Sequence, residues 1–216
     1  MKRLFDILVS FCGLLMVSPL LVACLVWIAF DSPGPLFYRG IRAGRFGRPF
    51  RICKLRTMVV DAEQIGGAET PANDPRITWA GHFLRRYKLD ELPQLLNVLK
   101  GEMSLVGPRP EVMDEVLRYS DEEKQLLLAR PGITDWASIR FRDEDEILRG
   151  SVDPHRAYHE LSRPEKSRLG LNYVHHRTFA MDLRILWLTL LAVLTPVERQ
   201  NAQPRTVSCD YGKSEQ

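Results

Sequence analysis

The sequence predicts an α+β fold, mostly helical, with a re-entrant helix-break-helix in the membrane followed by a compact cytoplasmic catalytic domain. Three observations predict it. Leu4 to Phe30 is almost wholly apolar, with Asp6 its only charge. Two short strand-like runs then flank a basic, Gly-rich segment. Beyond residue 78, apolar residues recur at helical spacing on either side of an Asp-Glu pair. At 216 residues the chain holds one ordinary domain plus an appendage. The division expected is a membrane segment at 1–31, the catalytic domain with interfacial helices at 32–200 and a tail at 201–216.

The apolar segment is long enough to span a bilayer. It does not read as a cleaved signal, because Trp27-Ile-Ala-Phe30 is a poor match to the small residues of a cut site. Composition leaves spanning and re-entrant forms open; charge decides for re-entry. Lys2 and Arg3 favour a cytoplasmic N-terminus, and the basic residues Arg39, Arg42, Arg45, Arg48, Arg51, Lys54 and Arg56 favour the same side for the other end. Ser18-Pro19 supplies a break near the middle, since proline removes an amide donor and clashes with the preceding turn. Each arm would then hold about ten residues, roughly 15 Å of helix. The Ser18 hydroxyl is a candidate partner for the freed backbone. A second apolar run, Leu183 to Leu194, is too short to span and reads as an interfacial helix or a core helix.

Asp31-Ser-Pro-Gly-Pro35 ends the membrane segment as a turn cluster. Leu36–Tyr38 and Phe50–Leu55 read as strands, joined in a hairpin across Gly40–Gly47. Ala62 to Asn73 reads as a loop. A helix is expected from Thr78 as N-cap, with Phe83, Leu84 and Tyr87 inward. The next is expected from Asp90, with Leu92, Leu95, Leu96 and Leu99 inward, Pro93 in its first turn and Gly101 as its stop. Helical character returns over Asp114–Leu128 and, weakly, Pro164–Arg177; Arg140–Glu146 reads as a charged surface loop.

The charge of +3 is modest and gives no sign of a nucleic-acid partner. The basic run beside the apolar segment suits anionic headgroups or a phosphorylated ligand, a solvated face being the alternative. Four cysteines without a C-x-x-C pair make neither a disulfide framework nor a zinc site. His175-His176 point to different sides of a helix and lack a third ligand.

Chemistry concentrates at Asp90-Glu91. An N-cap followed by a first-turn acid is the ordinary role of such a pair. Arg85 and Arg86 lie just upstream, Arg109 sits in a Pro-locked turn, and Lys54 and Arg56 arrive from the strand region. Acids converging with several cations suit a Mg²⁺-bound pyrophosphate, carboxylates holding the metal and guanidinium groups the non-bridging oxygens. A helix N-terminus would also keep Asp90 ionised as a nucleophile toward phosphorus.

In order and spacing, a set of motifs resembles the bacterial sugar transferases of the monotopic phosphoglycosyl transferase family, small-membrane-enzyme type. They are Lys2-Arg3-Leu-Phe-Asp6, Ser18-Pro19, Gly34-Pro35, Lys54-Leu-Arg-Thr-Met58, Asp74-Pro-Arg-Ile-Thr78, Leu89-Asp-Glu-Leu-Pro-Gln94, Leu105-Val-Gly-Pro-Arg-Pro110 and Pro131-Gly-Ile-Thr134. Each is weak alone; together they are specific and cover most of the chain. The resemblance implies transfer of a phosphosugar from a nucleotide diphosphate sugar, usually a UDP-sugar, to a polyprenyl phosphate such as undecaprenyl phosphate. The products would be polyprenyl diphosphosugar and UMP, starting polysaccharide assembly at the cytoplasmic face of the bacterial inner membrane. It implies a re-entrant helix with a Ser-Pro bend, Asp90 as covalent nucleophile, and Glu91 as Mg²⁺ ligand or proton acceptor. Lys54, Arg56, Arg85 and Arg109 match positions expected near phosphate or nucleotide; Arg142 is a further candidate beside the sugar. A homodimer is compatible with this reading. The multi-helix part of larger relatives is expected to be absent. After Thr134 many members have Gly where this chain has Asp135-Trp136, which alters the local turn. A non-catalytic membrane adaptor and a polyprenyl phosphate phosphatase or nucleotidyl enzyme are the competing functions; an adaptor has no need of both acids.

Overall fold

The computed structural model describes residues 1–65, 74–142, 156 and 162–194. It is mostly helical, opening with α1, a single 30-residue helix from Lys2 to Asp31. Among the described residues it is the one helix long and apolar enough to cross a membrane, and the architecture is compatible with a monotopic membrane protein. The helix is unbroken at Pro19. Proline leaves the carbonyl four residues back, that of Leu15, without its amide donor, and the Ser18 hydroxyl donates to that same oxygen at 2.9 Å. The serine therefore does what the sequence suggests; two separate ten-residue arms are not what the backbone adopts.

Both ends of α1 are bonded to the same folded body. At the start, Lys2 donates to Asp182 at 2.6 Å, to the Tyr173 hydroxyl and to Val106 O. Arg3 donates to the carbonyls of Val98 and Leu99, and Asp6 accepts from the Ser104 hydroxyl and Leu105 N. At the far end, Asp31 accepts from Ala80 N. Arg56 donates to the Ser32 and Pro33 carbonyls. Between the ends a stripe running through Asp6, Ser10, Cys24 and Ile28 is buried, while Leu8, Phe11, Leu15, Met16, Leu20, Val22, Val26 and Phe30 are exposed.

The expected hairpin is two nested antiparallel ladders. β1 (Phe37–Tyr38) pairs with β4 (Lys54–Leu55), and β2 (Ile41–Ala43) pairs with β3 (Pro49–Arg51) around a 3₁₀ turn at Arg45–Gly47. Ile52 and Cys53 separate β3 from β4, so Phe50–Leu55 is not one strand. A short α2 covers Ala62–Ile65. α3 (Trp79–Arg86) starts where expected, Thr78 Oγ1 accepting from Gly81 N. Its inward side chain is Leu84. Phe83 and Tyr87 point outward, contrary to expectation, because Trp79, Phe83 and Tyr87 form one i, i+4 stripe with Trp27 of α1 packed against it.

The next helix also differs. Leu89–Glu91 is a 3₁₀ turn entered through a left-handed Lys88, and α4 (Gln94–Lys100) begins only after Pro93. Gly101 ends it at φ 88°, as expected. Its buried face is Gln94, Asn97 and Val98, while Leu96 is exposed and Leu92, Leu95 and Leu99 are half-buried. Asn97 faces inward because it ties loops together, accepting from Cys53 N and donating to Arg51 O and Glu102.

A parallel pair, β5 (Ser104–Val106) and β6 (Gly132–Thr134), was not foreseen in the sequence. Its close approach needs glycine: a Cβ on Gly107 would stand 2.3 Å from Arg130 O, and one on Gly132 2.1 Å from Gly107 N. The stretch expected as one helix over Asp114–Leu128 is α5 (Met113–Leu117) and a 3₁₀ segment (Glu123–Leu128), interrupted by a reciprocal Ser120–Glu123 cap. α6 (Trp136–Arg140), α7 (Arg163–His176) and α8 (Phe179–Leu194) complete the fold. α8 buries Met181 and Ile185 while exposing Leu183, Trp187, Leu190 and Leu191, so it joins core and surface at once. The main core gathers Val98, Met103, Val106, Trp136, Leu169, Tyr173 and Ile185; a smaller one joins Cys24 and Ile28 of α1 to Leu55 and Leu84. Most of the charged stretch Arg140–Glu146 and the whole 201–216 tail lie outside the described residues.

Candidate active site

Glu91 is the hub of the site. Its Oε1 accepts from Lys54 Nζ at 2.9 Å and from Arg109, whose other guanidinium nitrogen reaches Oε2. Three separate elements deliver these groups: Lys54 from β4, Glu91 from the 3₁₀ turn, Arg109 from the Pro108-Arg-Pro110 segment after β5. The β5–β6 glycine contact sets where that segment leaves the sheet. Burial raises the proton affinity of Glu91, but Arg109 and Lys54 overcome it and hold the carboxyl far below the usual range. Glu91 is therefore locked as an anion and is a poor proton acceptor.

Asp90 is its neighbour in sequence and its opposite in environment. It is 7% exposed, and its Oδ1 is buried with no hydrogen-bond partner among the described residues. Burial pushes its pKa up; Lys54 opposes this, Glu91 adds to it, and Lys88 and Arg85 oppose it further. The expectation that a helix N-terminus keeps Asp90 ionised fails, because α4 begins at Gln94; the surrounding cations favour the ionised form but do not outweigh burial. A carboxylate with an uncommitted oxygen ringed by cations suits attack on the phosphorus of an anionic donor, or ligation of a hard cation.

A cavity of about 360 Å³ opens beside the turn. Lys88, Glu91 and Arg109 line one part, Leu92, Leu95, Ile133, Ala192 and Val193 make apolar wall, and Tyr119, Arg142, Arg163, Lys166 and Ser167 add aromatic and polar groups. Asp90 is not among the lining residues: of the acid pair, Glu91 faces the cavity. Of the residues singled out in the sequence, Lys54, Glu91 and Arg109 meet directly, Arg85 acts on Asp90 through its field, and Arg142 lines the cavity. Arg56 is not brought in; it is buried on the carbonyls that follow α1. Lys88, Tyr119, Arg163 and Asp135 were missed. Lys88 was findable from its place two residues before Asp90. Arg163 and Tyr119 meet the site only because α7 folds back on the 3₁₀ segment, which no local pattern announces. His175 bonds Gln125, in keeping with a structural role. No group of three or more His, Cys, Asp or Glu side chains that could hold a metal occurs among the described residues.

Residues 1–196 match the family model described as bacterial sugar transferase. The chain belongs to that family. It is 38% identical over 206 residues to the exopolysaccharide production protein PSS of Rhizobium leguminosarum bv. phaseoli, covering 90% of this chain and 96% of that one. It is 34% identical over 194 residues to the uncharacterized sugar transferase EpsL of Bacillus subtilis, covering 90% and 87%. With the UDP-glucose:undecaprenyl-phosphate glucose-1-phosphate transferase of Escherichia coli it shares 36% identity over 194 residues, 88% of this chain but 39% of that protein. Family membership makes this chain a transferase and leaves the adaptor as the weaker alternative.

Proposed function

We propose that this transferase moves a phosphosugar from a UDP-sugar to undecaprenyl phosphate through a covalent intermediate on Asp90. The observation that carries the reading is the buried Oδ1 of Asp90, without a partner among the described residues, in the field of Lys54, Lys88 and Arg85. An Asp90 carboxylate oxygen attacks the sugar-bearing phosphorus, the bond from that phosphorus to the bridging oxygen breaks, and UMP leaves with that oxygen. An oxygen of the lipid phosphate then attacks the same phosphorus, the Asp90–phosphorus link breaks and the carboxylate is restored. Two such steps make the kinetics ping-pong. Lys54 and Arg109, oriented by Glu91, are suited to steady the phosphoryl oxygens; the cavity is of a size to take a nucleotide sugar.

Mg²⁺ fits this donor set through Asp90, whose Oδ1 is uncommitted, better than through Glu91, whose oxygens are taken by Lys54 and Arg109. Bound there with donor phosphate oxygens, it would neutralise pyrophosphate charge.

A membrane-dipping rather than spanning α1 is part of the proposal. What supports it is that both ends of α1 are bonded to one folded body, an arrangement that favours keeping them on the same side of a bilayer. Its exposed apolar side, with those of α3 and α8, would then rest in one leaflet, on the cytoplasmic face where nucleotide sugars are found.

The test is UMP release by detergent-solubilised protein with Mg²⁺ and undecaprenyl phosphate across a panel of UDP-sugars. Release from one donor, lost in Asp90→Asn, is expected. Silence across the panel from folded protein would favour the adaptor.

A further inference from the structure

We infer that Lys88 binds the phosphate of the lipid acceptor. The inference rests on the two-step reading above and assigns a residue to its second step. Five cations line the cavity: Lys88, Arg109, Arg142, Arg163 and Lys166. Arg109 is bonded to Glu91, and Arg163 is paired with Glu115 and Glu123. Lys166 lies over the Phe141 ring, and Arg142 also has a partner. Lys88 alone of these has no hydrogen-bond or ion-pair partner for its ammonium among the described residues. It is exposed, and it is close enough to Asp90 to draw down that acid's proton affinity. A cation free to meet a ligand, on the cavity wall and within the field of the nucleophile, is what an incoming phosphate monoester needs.

The backbone makes the same point. Lys88 is held at φ 54°, ψ 24°, the left-handed region that glycine or asparagine enters more readily than lysine. Such strain in a residue beside a reacting group is a pointer to function. Turn formation by itself would favour glycine here, so the side chain is the reason for lysine.

Its position selects the acceptor over the donor. Lys88 directly follows Tyr87, the last ring of the outward stripe Trp79, Phe83 and Tyr87 that continues onto Trp27. Aromatic stripes of this kind sit at the headgroup level of a bilayer. A polyprenyl phosphate kept by its tail in the leaflet would bring its phosphate to that level, and the ammonium one residue past the stripe is placed to receive it. Leu92, Leu95, Ala192 and Val193, which line the same cavity as Lys88, suit the first prenyl units.

The two half-reactions separate this inference from the reading beneath it. Full-length protein in detergent is mixed with the UDP-sugar donor alone, and the UMP burst measured; undecaprenyl phosphate is then added and discharge of the adduct followed. Lys88→Met is expected to keep the burst amplitude and to slow the burst only through the weaker field on Asp90, a smaller loss than in discharge, where the half-maximal rate needs about tenfold more undecaprenyl phosphate. Lys88→Arg should restore most of the affinity. Lys88→Gly should melt higher than wild type, its strain relieved, yet discharge as poorly as Lys88→Met. Discharge by Lys88→Met at wild-type acceptor concentrations, or equal losses in both half-reactions, overturns the inference. A rise confined to donor KM would put Lys88 on the pyrophosphate instead, which also overturns it. No burst from wild type would bring down the two-step reading itself.

Discussion

Replacing Asp90 by asparagine should make the protein more stable while abolishing its turnover. Its Oδ1 is out of solvent and without a partner among the described residues, and an unsatisfied buried acceptor costs about 1–3 kcal/mol. Lys54, Lys88 and Arg85 offset part of this, yet the net pKa displacement is upward, so the ionised form is less welcome in the fold than in the unfolded chain. Asparagine keeps the buried oxygen but removes its charge, so the variant should recover part of that cost at pH 7.5, on the order of 1 kcal/mol. For a chain of this size that corresponds to a Tm about 2–4 °C higher. The pH sign follows. An acid whose folded pKa is raised contributes stability that is full below its unfolded value, near 3.9, and lost as pH rises through the folded value. The advantage of Asp90→Asn should therefore be widest near neutrality and close as the pH falls toward about 4. Thermal melts of both proteins in one detergent from pH 4 to 8, beside UMP release, measure this. A variant that melts lower than wild type at pH 7.5, or whose advantage does not shrink on acidification, would refute the account of Asp90's surroundings.

Glu91→Gln should act in the other direction on stability, losing about 2–3 kcal/mol because Lys54 and the 42%-exposed Arg109 are left without their anion. Glu91's depressed pKa gives stability present above the usual carboxylate range and lost as pH falls through the folded value, so the deficit of the variant in thermal melts should shrink in strong acid. Gly132→Ala should cost about 2–4 kcal/mol and reduce activity with it, since the new Cβ would meet Gly107 N at 2.1 Å and displace the segment carrying Arg109; melts and UMP release check both. Lys2→Met should loosen the start of α1 by leaving Asp182 without its cation, lowering Tm by several degrees in a melt while a membrane pellet still retains the protein. Single cysteines at Arg3 and Ser32 should both react with an impermeant maleimide from the cytoplasmic side alone; opposite sides would mean that α1 spans.

What the sequence disclosed was what depends on local chemistry. Thr78 as cap, Gly101 as stop and Ser18 covering for Pro19 were legible because each rests on bonds within four residues. The outward turn of Phe83 and Tyr87 was not, because hydrophobicity alone gives no direction and the ring packed against their stripe, Trp27, comes from α1. The inward turn of Asn97 was hidden for the converse reason: its partners, Arg51, Cys53 and Glu102, come largely from other elements. Parallel pairing of β5 with β6 joins segments some thirty residues apart, each only three residues long, and no periodicity survives in so short a strand. Among site residues, Asp90 and Glu91 were visible as a pair, but their division into a strained acid and a locked anion comes from Lys54 and Arg109, which arrive from different parts of the fold. Arg56 misled because a cation in a basic run looks like any other until its carbonyl partners are seen.

The most direct test of the central claim is intact-mass analysis of the protein incubated with its UDP-sugar donor and Mg²⁺ but without lipid acceptor. The account predicts release of about one UMP per active enzyme together with a mass increase of one phosphosugar, mapped to the peptide carrying Asp90 and absent from Asp90→Asn. UMP that forms only when undecaprenyl phosphate is present, with the protein mass unchanged throughout, would contradict it and indicate direct displacement on the donor.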